Sequence, residues 1–326
     1  VEAVNDNLDK MHRYVSLRKK LLELDELHMY DIYVPIVKDY DAKYTIEEAK
    51  ELVLKAVEPL GTNYVNLIKK AFAERWIDVV ENEGKRNGAY SSGVYGVHPF
   101  VLLNFNGTLD NVFTLAHEMG HAMHSYFSNE AQNFLDSRYR IFVAEVASTT
   151  NEVLLMEYML KNAKDNKERA YLLNHYMDSF KGTVFRQTMF AEFEKTSNEM
   201  AERGEPLTHE NLTELYLNLN KKYYGEAMIS DDLIGYEWMR IPHFYYNFYV
   251  YQYATGFSAA VAIANRVLKE GETAVSDYMK FLSSGCTKDP VSLLRIAGVD
   301  MATKEPINSA LQVFERVIEE MEELTK

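Results

Sequence analysis

The sequence is poor in the residues that build crosslinked or turn-rich folds. It has a single cysteine, Cys286, in 326 residues. One thiol closes no internal disulfide and cannot assemble a cysteine-rich zinc site, and a reducing compartment fits it. Proline and glycine are scarce, at 7 and 15 residues. That scarcity argues against a sandwich of short strands and for long helices. No run approaches the roughly 18 to 20 apolar residues of a membrane helix, and the most apolar stretch, Ala259 to Ala264, is far too short. The amino-terminal residues lack the basic, apolar, small-residue order of a signal peptide. They also lack an initiating Met and open directly in a helical pattern, so the chain reads as a piece of something longer. Positive charge is the minority sign, with 35 Lys and Arg against 49 Asp and Glu and a formal net charge of -14. So acidic a surface repels phosphate backbones and anionic bilayers, and neither nucleic acid nor a membrane is expected as a partner.

What is present is apolar residue at helical spacing. The hydrophobic fraction, 47%, excludes a disordered chain, and the length allows a sizeable core. The 3.6-residue period predicts helices over 1–29, from Thr45, over 62–80, and then over 110–127, 142–163, 166–201, 208–223, 243–269, 271–284 and 305–324. Arg18 interrupts the apolar side of the first. Thr45, with Glu47 and Glu48 in the following turn, is a helix N-terminus. Between 84 and 106 the chain turns glycine-dense and then aromatic, which predicts a loop leading into one or two short strands, with Pro99 suited to an edge strand.

The chemistry is concentrated in His117-Glu118-Met119-Gly120-His121. On a helix, residues four apart lie about 40° apart and one turn along, so both imidazoles reach one zinc ion. Glu118 falls on the flank of that face, where a general base belongs. Small neighbours, Ala116, Gly120 and Ala122, suit a closely packed helix. His124 is on the same face but about 10 Å along the axis from His117, too far to join the same ion. The third ligand must come from another element. A chain that turns back after Ser128 brings 141–152 antiparallel to the metal helix. Its glutamates stand in an apolar setting that needs a cation to neutralise them. Glu145 suits a His/His/Glu site with an open fourth position. Glu152, on the same face, either orients a ligand histidine or pairs with a basic residue. His12, His28, His98, His175 and His209 stand alone.

The blocks Gly107 to Ser125, Phe142 to Glu152, Gly88 to Tyr90 and Ile241 to Tyr245 resemble the oligoendopeptidase F branch of the thimet oligopeptidase family, in order and through most of the chain. The resemblance implies a mainly α, zincin-like catalytic domain around a deep substrate channel, with a small hairpin or edge-strand element. It implies zinc held by His117, His121 and Glu145, and Glu118 as base. It implies cleavage of internal bonds of short peptides in the cytoplasm. It also implies that a histidine and a tyrosine from 240–253 reach the substrate carbonyl. His243 matches best, with Tyr246 and Tyr251 as the tyrosine candidates. Family members are longer at the N-terminus, where extra helices wall the channel. The whole chain is expected to form one catalytic domain: helices over 1–80, loop and strands over 84–106, and the zinc and channel region over 107–326. Ser92, Gly93, Tyr95 and Gly96 lie where an edge strand beside a zinc site would pair with an extended peptide. Two rival readings are an exopeptidase on the same scaffold and a peptide-binding piece without turnover.

Overall fold

Helix dominates the computed structural model, which describes residues 1–37, 40 and 42–326. In chain order the helices are α1 (Glu2–Asn5), α2 (Leu8–Leu21), α3 (Ile46–Ala56), α4 (Thr62–Ala73), α5 (Leu109–Ala131), α6 (Ile141–Lys161), α7 (Asn166–Phe180), α8 (Arg186–Glu202), α9 (His209–Tyr224), α10 (Tyr251–Glu270), α11 (Glu272–Leu282), α12 (Pro290–Ile296) and α13 (Glu305–Leu324). The strands are two or three residues each: β1 (Leu27–His28), β2 (Ile77–Asp78), β3 (Tyr90–Ser92), β4 (Phe100–Leu102) and β5 (Met228–Ile229). The chain forms two units, one of residues 1–39, 165–255 and 307–326, the other of 40–164 and 256–306.

The first unit is helical around an aromatic core. Phe314 of α13 meets Tyr14, Phe180 and Phe185 at ring separations of 5.9, 5.3 and 5.3 Å. Arg18, the residue that interrupts the apolar side of α2, is 1% exposed. Its guanidinium donates to the carbonyls of Asp31 and Val34 and to the Tyr14 hydroxyl, while its Nε has no partner among the described residues. The predicted helix over 166–201 carries a π-helical turn, Lys181–Phe185, between α7 and α8. β1 and β5 pair in parallel.

The second unit holds the motifs. Its sheet has the order β2-β4-β3, with β4 parallel to β2 and antiparallel to β3. Pro99 therefore stands just before the central strand and not on an edge strand. Lying outside the ladder, it forfeits no strand hydrogen bond. α5 begins at a capping box. Thr108 Oγ1 accepts from the Asn111 N–H at 3.3 Å, and Asn111 Oδ1 accepts from the Thr108 N–H at 3.3 Å. Thr45 and Glu48 make the same reciprocal pair at the start of α3.

Three predicted helices prove too long. The one over 1–29 breaks after α2, the one over 62–80 ends at Ala73, and the one over 243–269 begins only at Tyr251. Pro242–Tyr245 is a single 3₁₀ turn. His243, Tyr246 and Tyr251 therefore do not share a helical face. α12 has no counterpart among the predicted elements.

Candidate metal centre

α5 and α6 run antiparallel and touch along the face that carries the charged side chains. Their closest approach is at Gly120. A Cβ built there would lie 2.5 Å from Ser148 Cα and 2.6 Å from the Ala147 carbonyl oxygen. Only glycine lets the backbones approach so closely. One turn away, Asn151 of α6, fully buried, donates to the Ala116 carbonyl at 3.1 Å and accepts from the Tyr64 hydroxyl of α4 at 3.0 Å. Three helices are thereby fixed at the level of the histidines. The sequence reading missed Asn151 and Tyr64 because their pairing spans 87 positions.

Three side-chain atoms converge in the resulting groove. His117 Nε2 and His121 Nε2 are 3.1 Å apart, and Glu145 Oε2 lies 3.3 and 3.4 Å from them. Ligands of a tetrahedral ion at about 2.0–2.1 Å are separated by about 3.3–3.4 Å, so this triangle matches one face of a zinc site. It is the one such cluster among the described residues. The donor types, two imidazoles and a carboxylate, also fit zinc. Glu152 accepts from His117 Nδ1 at 2.6 Å. That bond fixes the tautomer that turns the Nε2 lone pair toward the triangle. Ser148 Oγ donates to the Glu145 carbonyl at 2.9 Å and sits 3.4 Å from Glu145 Oε2.

Without a metal, a proton does part of its work. Burial disfavours a charged His117, but its bonds to Glu145 and Glu152 outweigh that and push it up to about 10. Hydrogen bonds from His117 and His121 hold Glu145 well below the usual carboxylate range. The His117 contribution to stability is therefore complete below its ordinary 6.5 and lost as pH rises through about 10. The Glu145 contribution is present above its ordinary 4.5 and lost in acid. Metal-free protein should lose thermal stability as pH rises from about 6.5 to about 10, while zinc-loaded protein, its histidine already deprotonated, should not. Melting curves across this range, with and without chelator, check the difference.

Glu118 is 6% exposed, and its Oε2 has no hydrogen-bond partner among the described residues. Burial raises its carboxyl above the ordinary value, opposed by His117 and His121. His124 stands outside the triangle. Its ring lies flat on Tyr139, with centroids 3.7 Å apart and planes 2° apart, and burial pushes it down to about 3.

His243, in the first unit, is gathered with tyrosines. Its ring meets Tyr249 at 5.6 Å, Tyr253 at 5.9 Å and Tyr246 at 6.4 Å. The Tyr253 hydroxyl is 3.4 Å from His243 Nε2. Tyr253, absent from the sequence candidates, is the tyrosine in hydrogen-bond reach of His243. No helix among the described residues is long and apolar enough to cross a membrane.

Residues 1–313 match the model of peptidase family M3. The chain is 55% identical over 324 residues to oligopeptidase PepF of Bacillus subtilis (strain 168), covering 99% of this chain and 48% of that protein. It is 48% identical over 326 residues to chromosomal oligoendopeptidase F of Lactococcus lactis subsp. cremoris, covering 100% of this chain and 54% of that one. The crystal structure of oligoendopeptidase-F from Enterococcus faecium superimposes with a TM-score of 0.78 at 43% identity, over 99% of this chain and 51% of that chain. The chain thus spans about half the length of the curated relatives it matches.

Proposed function

We propose that this chain, which belongs to peptidase family M3, is the metal-bearing portion of a cytoplasmic oligoendopeptidase that holds one zinc ion and hydrolyses internal bonds of short peptides. The observation that carries this reading is the triangle of His117, His121 and Glu145, with the unpartnered carboxylate of Glu118 beside it.

His117, His121 and Glu145 would hold the ion, and Glu152 orients His117. When bound, zinc supplies a Lewis acid for the scissile carbonyl and lowers the pKa of water toward about 7. Glu118 takes the proton from the attacking water and returns it to the leaving amine nitrogen. Its buried setting suits that double duty, because burial raises the carboxyl above its ordinary value and makes it a stronger proton acceptor. His243, with Tyr246, Tyr251 or the adjacent Tyr253, supplies hydrogen bonds to the carbonyl oxygen as negative charge grows on it. β3 pairs with β4 on one side and offers its other edge to an extended peptide, whose backbone would add as a further strand.

Two substitutions separate the ligand roles. Glu145→Ala should abolish stoichiometric zinc binding, because two imidazoles remain of a three-ligand site. Glu152→Ala should weaken binding about 10- to 100-fold, because His117 loses only its orienting partner. Zinc titration of both variants checks the order: equal affinities would remove the distinction, and the opposite order would reverse the assignment.

A substrate channel of the kind the family resemblance implies admits an extended chain and not a globule. The zinc-loaded whole protein should cut a mixed peptide library at internal bonds and leave a folded protein intact. Mass spectrometry of the products tests the function: internal cuts support it, removal of terminal residues only would make it an exopeptidase, and no products would sink the peptidase reading.

A further inference from the structure

The segment 132–140 joins α5 to α6 and is held on several sides. Tyr95 donates through its hydroxyl to the Gln132 carbonyl at 3.0 Å, and Gln132 Nε2 donates to the Ser283 carbonyl at 2.8 Å. Ser128 Oγ donates to the Ser137 carbonyl at 2.6 Å, and the Cys286 N–H to the Asp136 carbonyl at 2.8 Å. Against this fixed segment lies a cleft of about 260 Å³, lined by Gly93, Ser125, Asn129, Ser137, Arg138 and Tyr139.

We propose that this cleft is a subsite that takes a carboxylate of the bound peptide, with Arg138 as its cation. The inference rests on the peptidase reading above.

Position comes first. Ser125 is four residues past His121 on α5, hence on the same face and about 6 Å further along. Gly93 follows the last residue of β3, and a Cβ built on it would be 3.2 Å from Ser125 Cβ. A peptide that pairs with the free edge of β3 and presents a bond to the triangle therefore runs past the cleft. Any side chain on Gly93 would narrow it.

Chemistry comes second. The lining is built of donors. The Ser125 and Tyr139 hydroxyls are 3.0 Å apart, and burial pushes the Tyr139 hydroxyl up against the opposing Ser125 hydrogen bond, so it stays neutral. Arg138 forms no ion pair among the described residues, and its guanidinium is free to receive a carboxylate in a forked pair. The chain as a whole, at -14, repels acidic ligands. An exposed arginine among neutral donors in a cleft lined by Ser125 of α5 is a local exception, and it gives an acidic peptide a defined register. The carboxylate comes either from an Asp or Glu side chain or from the peptide's C-terminus.

The test uses the zinc-loaded whole protein and sets of peptides that differ only in Glu, Gln or Lys at one position, each with a free or an amidated C-terminus. The readout is the ratio of kcat/KM for carboxylate-bearing over neutral peptides, position by position. Arg138→Gln should lower that ratio about tenfold at one position, the usual size of a charge-assisted hydrogen bond. Arg138→Glu should invert it in favour of Lys. If Glu-to-Gln exchange in the peptide reproduces the loss, the side chain is the source; if amidation does, the C-terminus is. Ratios equal in parent and both variants at every position overturn the inference while leaving the peptidase reading standing. Absence of cleavage by the parent removes both.

Discussion

Glu118→Gln should hold zinc as fully as the parent protein and lose turnover by about 100- to 10,000-fold, the range of a general-base contribution. Glu118 is not a corner of the donor triangle, so the metal count should not change. The amide is nearly the same size, so the buried pocket around a residue 6% exposed should accept it. The change is chemical: an amide oxygen takes no proton from water and has none to give to the leaving amine. Glu118 Oε2 makes no hydrogen bond among the described residues, so the substitution breaks no existing bond. Stability should shift by a few tenths of a kcal/mol, upward if anything, because the variant removes a buried ionisable group. Metal analysis, thermal denaturation and kcat/KM on one peptide make the comparison. Turnover within about tenfold of the parent would remove Glu118 from the role of base.

The donor triangle was legible in the sequence because its parts obey local rules. His117 and His121 are one helical turn apart. Glu145 and Glu152 betray themselves as carboxylates in an apolar helix. Their convergence also needed an antiparallel return, and the segment 132–140 supplies it. The helix ends were less legible, for one physical reason. Among the described residues, the non-glycine residues with positive φ are Glu23, Arg75 and Phe248, at 55°, 58° and 50°. Each stands where a predicted helix ran on and the real one stops or has not begun. Glu23 follows α2, Arg75 follows α4, and Phe248 precedes α10. A left-handed residue closes a helix well, and glycine normally marks the place. These side chains carry a cost of about 1 kcal/mol and leave no signal. Local helix-closing bonds follow the first two, from the Leu24 N–H to the Lys19 carbonyl at 3.2 Å and from the Trp76 N–H to the Ala71 carbonyl at 3.1 Å, and a tertiary bond holds the third, the Phe248 N–H reaching Glu194 Oε1 at 2.7 Å. The helix predicted over 243–269 starts late for this reason. A chain that enters α10 through Phe248 brings the Tyr253 hydroxyl within 3.4 Å of the His243 imidazole.

Gly120→Ala should damage the centre although it removes no ligand. The added methyl would sit 2.5 Å from Ser148 Cα, 2.6 Å from the Ala147 oxygen and 2.8 Å from Ser148 N. All three are backbone atoms of α6, so no rotamer change relieves the clash. One helix must move by about 1 Å to restore ordinary contact. That motion carries Glu145 and Glu152 away from His117 and opens a triangle whose edges are now 3.1 to 3.4 Å. It also stretches the Asn151 bond to the Ala116 carbonyl. Overpacking of this kind costs about 1–3 kcal/mol of stability. A misplacement of about 1 Å at the reacting groups costs about 100-fold in rate. Gly182→Ala is the control. A Cβ there meets nothing within 4 Å, and alanine is the better helix former, so that variant should be as stable as the parent or slightly more so. Zinc affinity, denaturant midpoint and kcat/KM should fall together in Gly120→Ala and in none of them for Gly182→Ala. If Gly120→Ala kept parental zinc affinity and stability, the helices would have slack at their closest approach, and the glycine of the motif would have no role in setting the metal geometry.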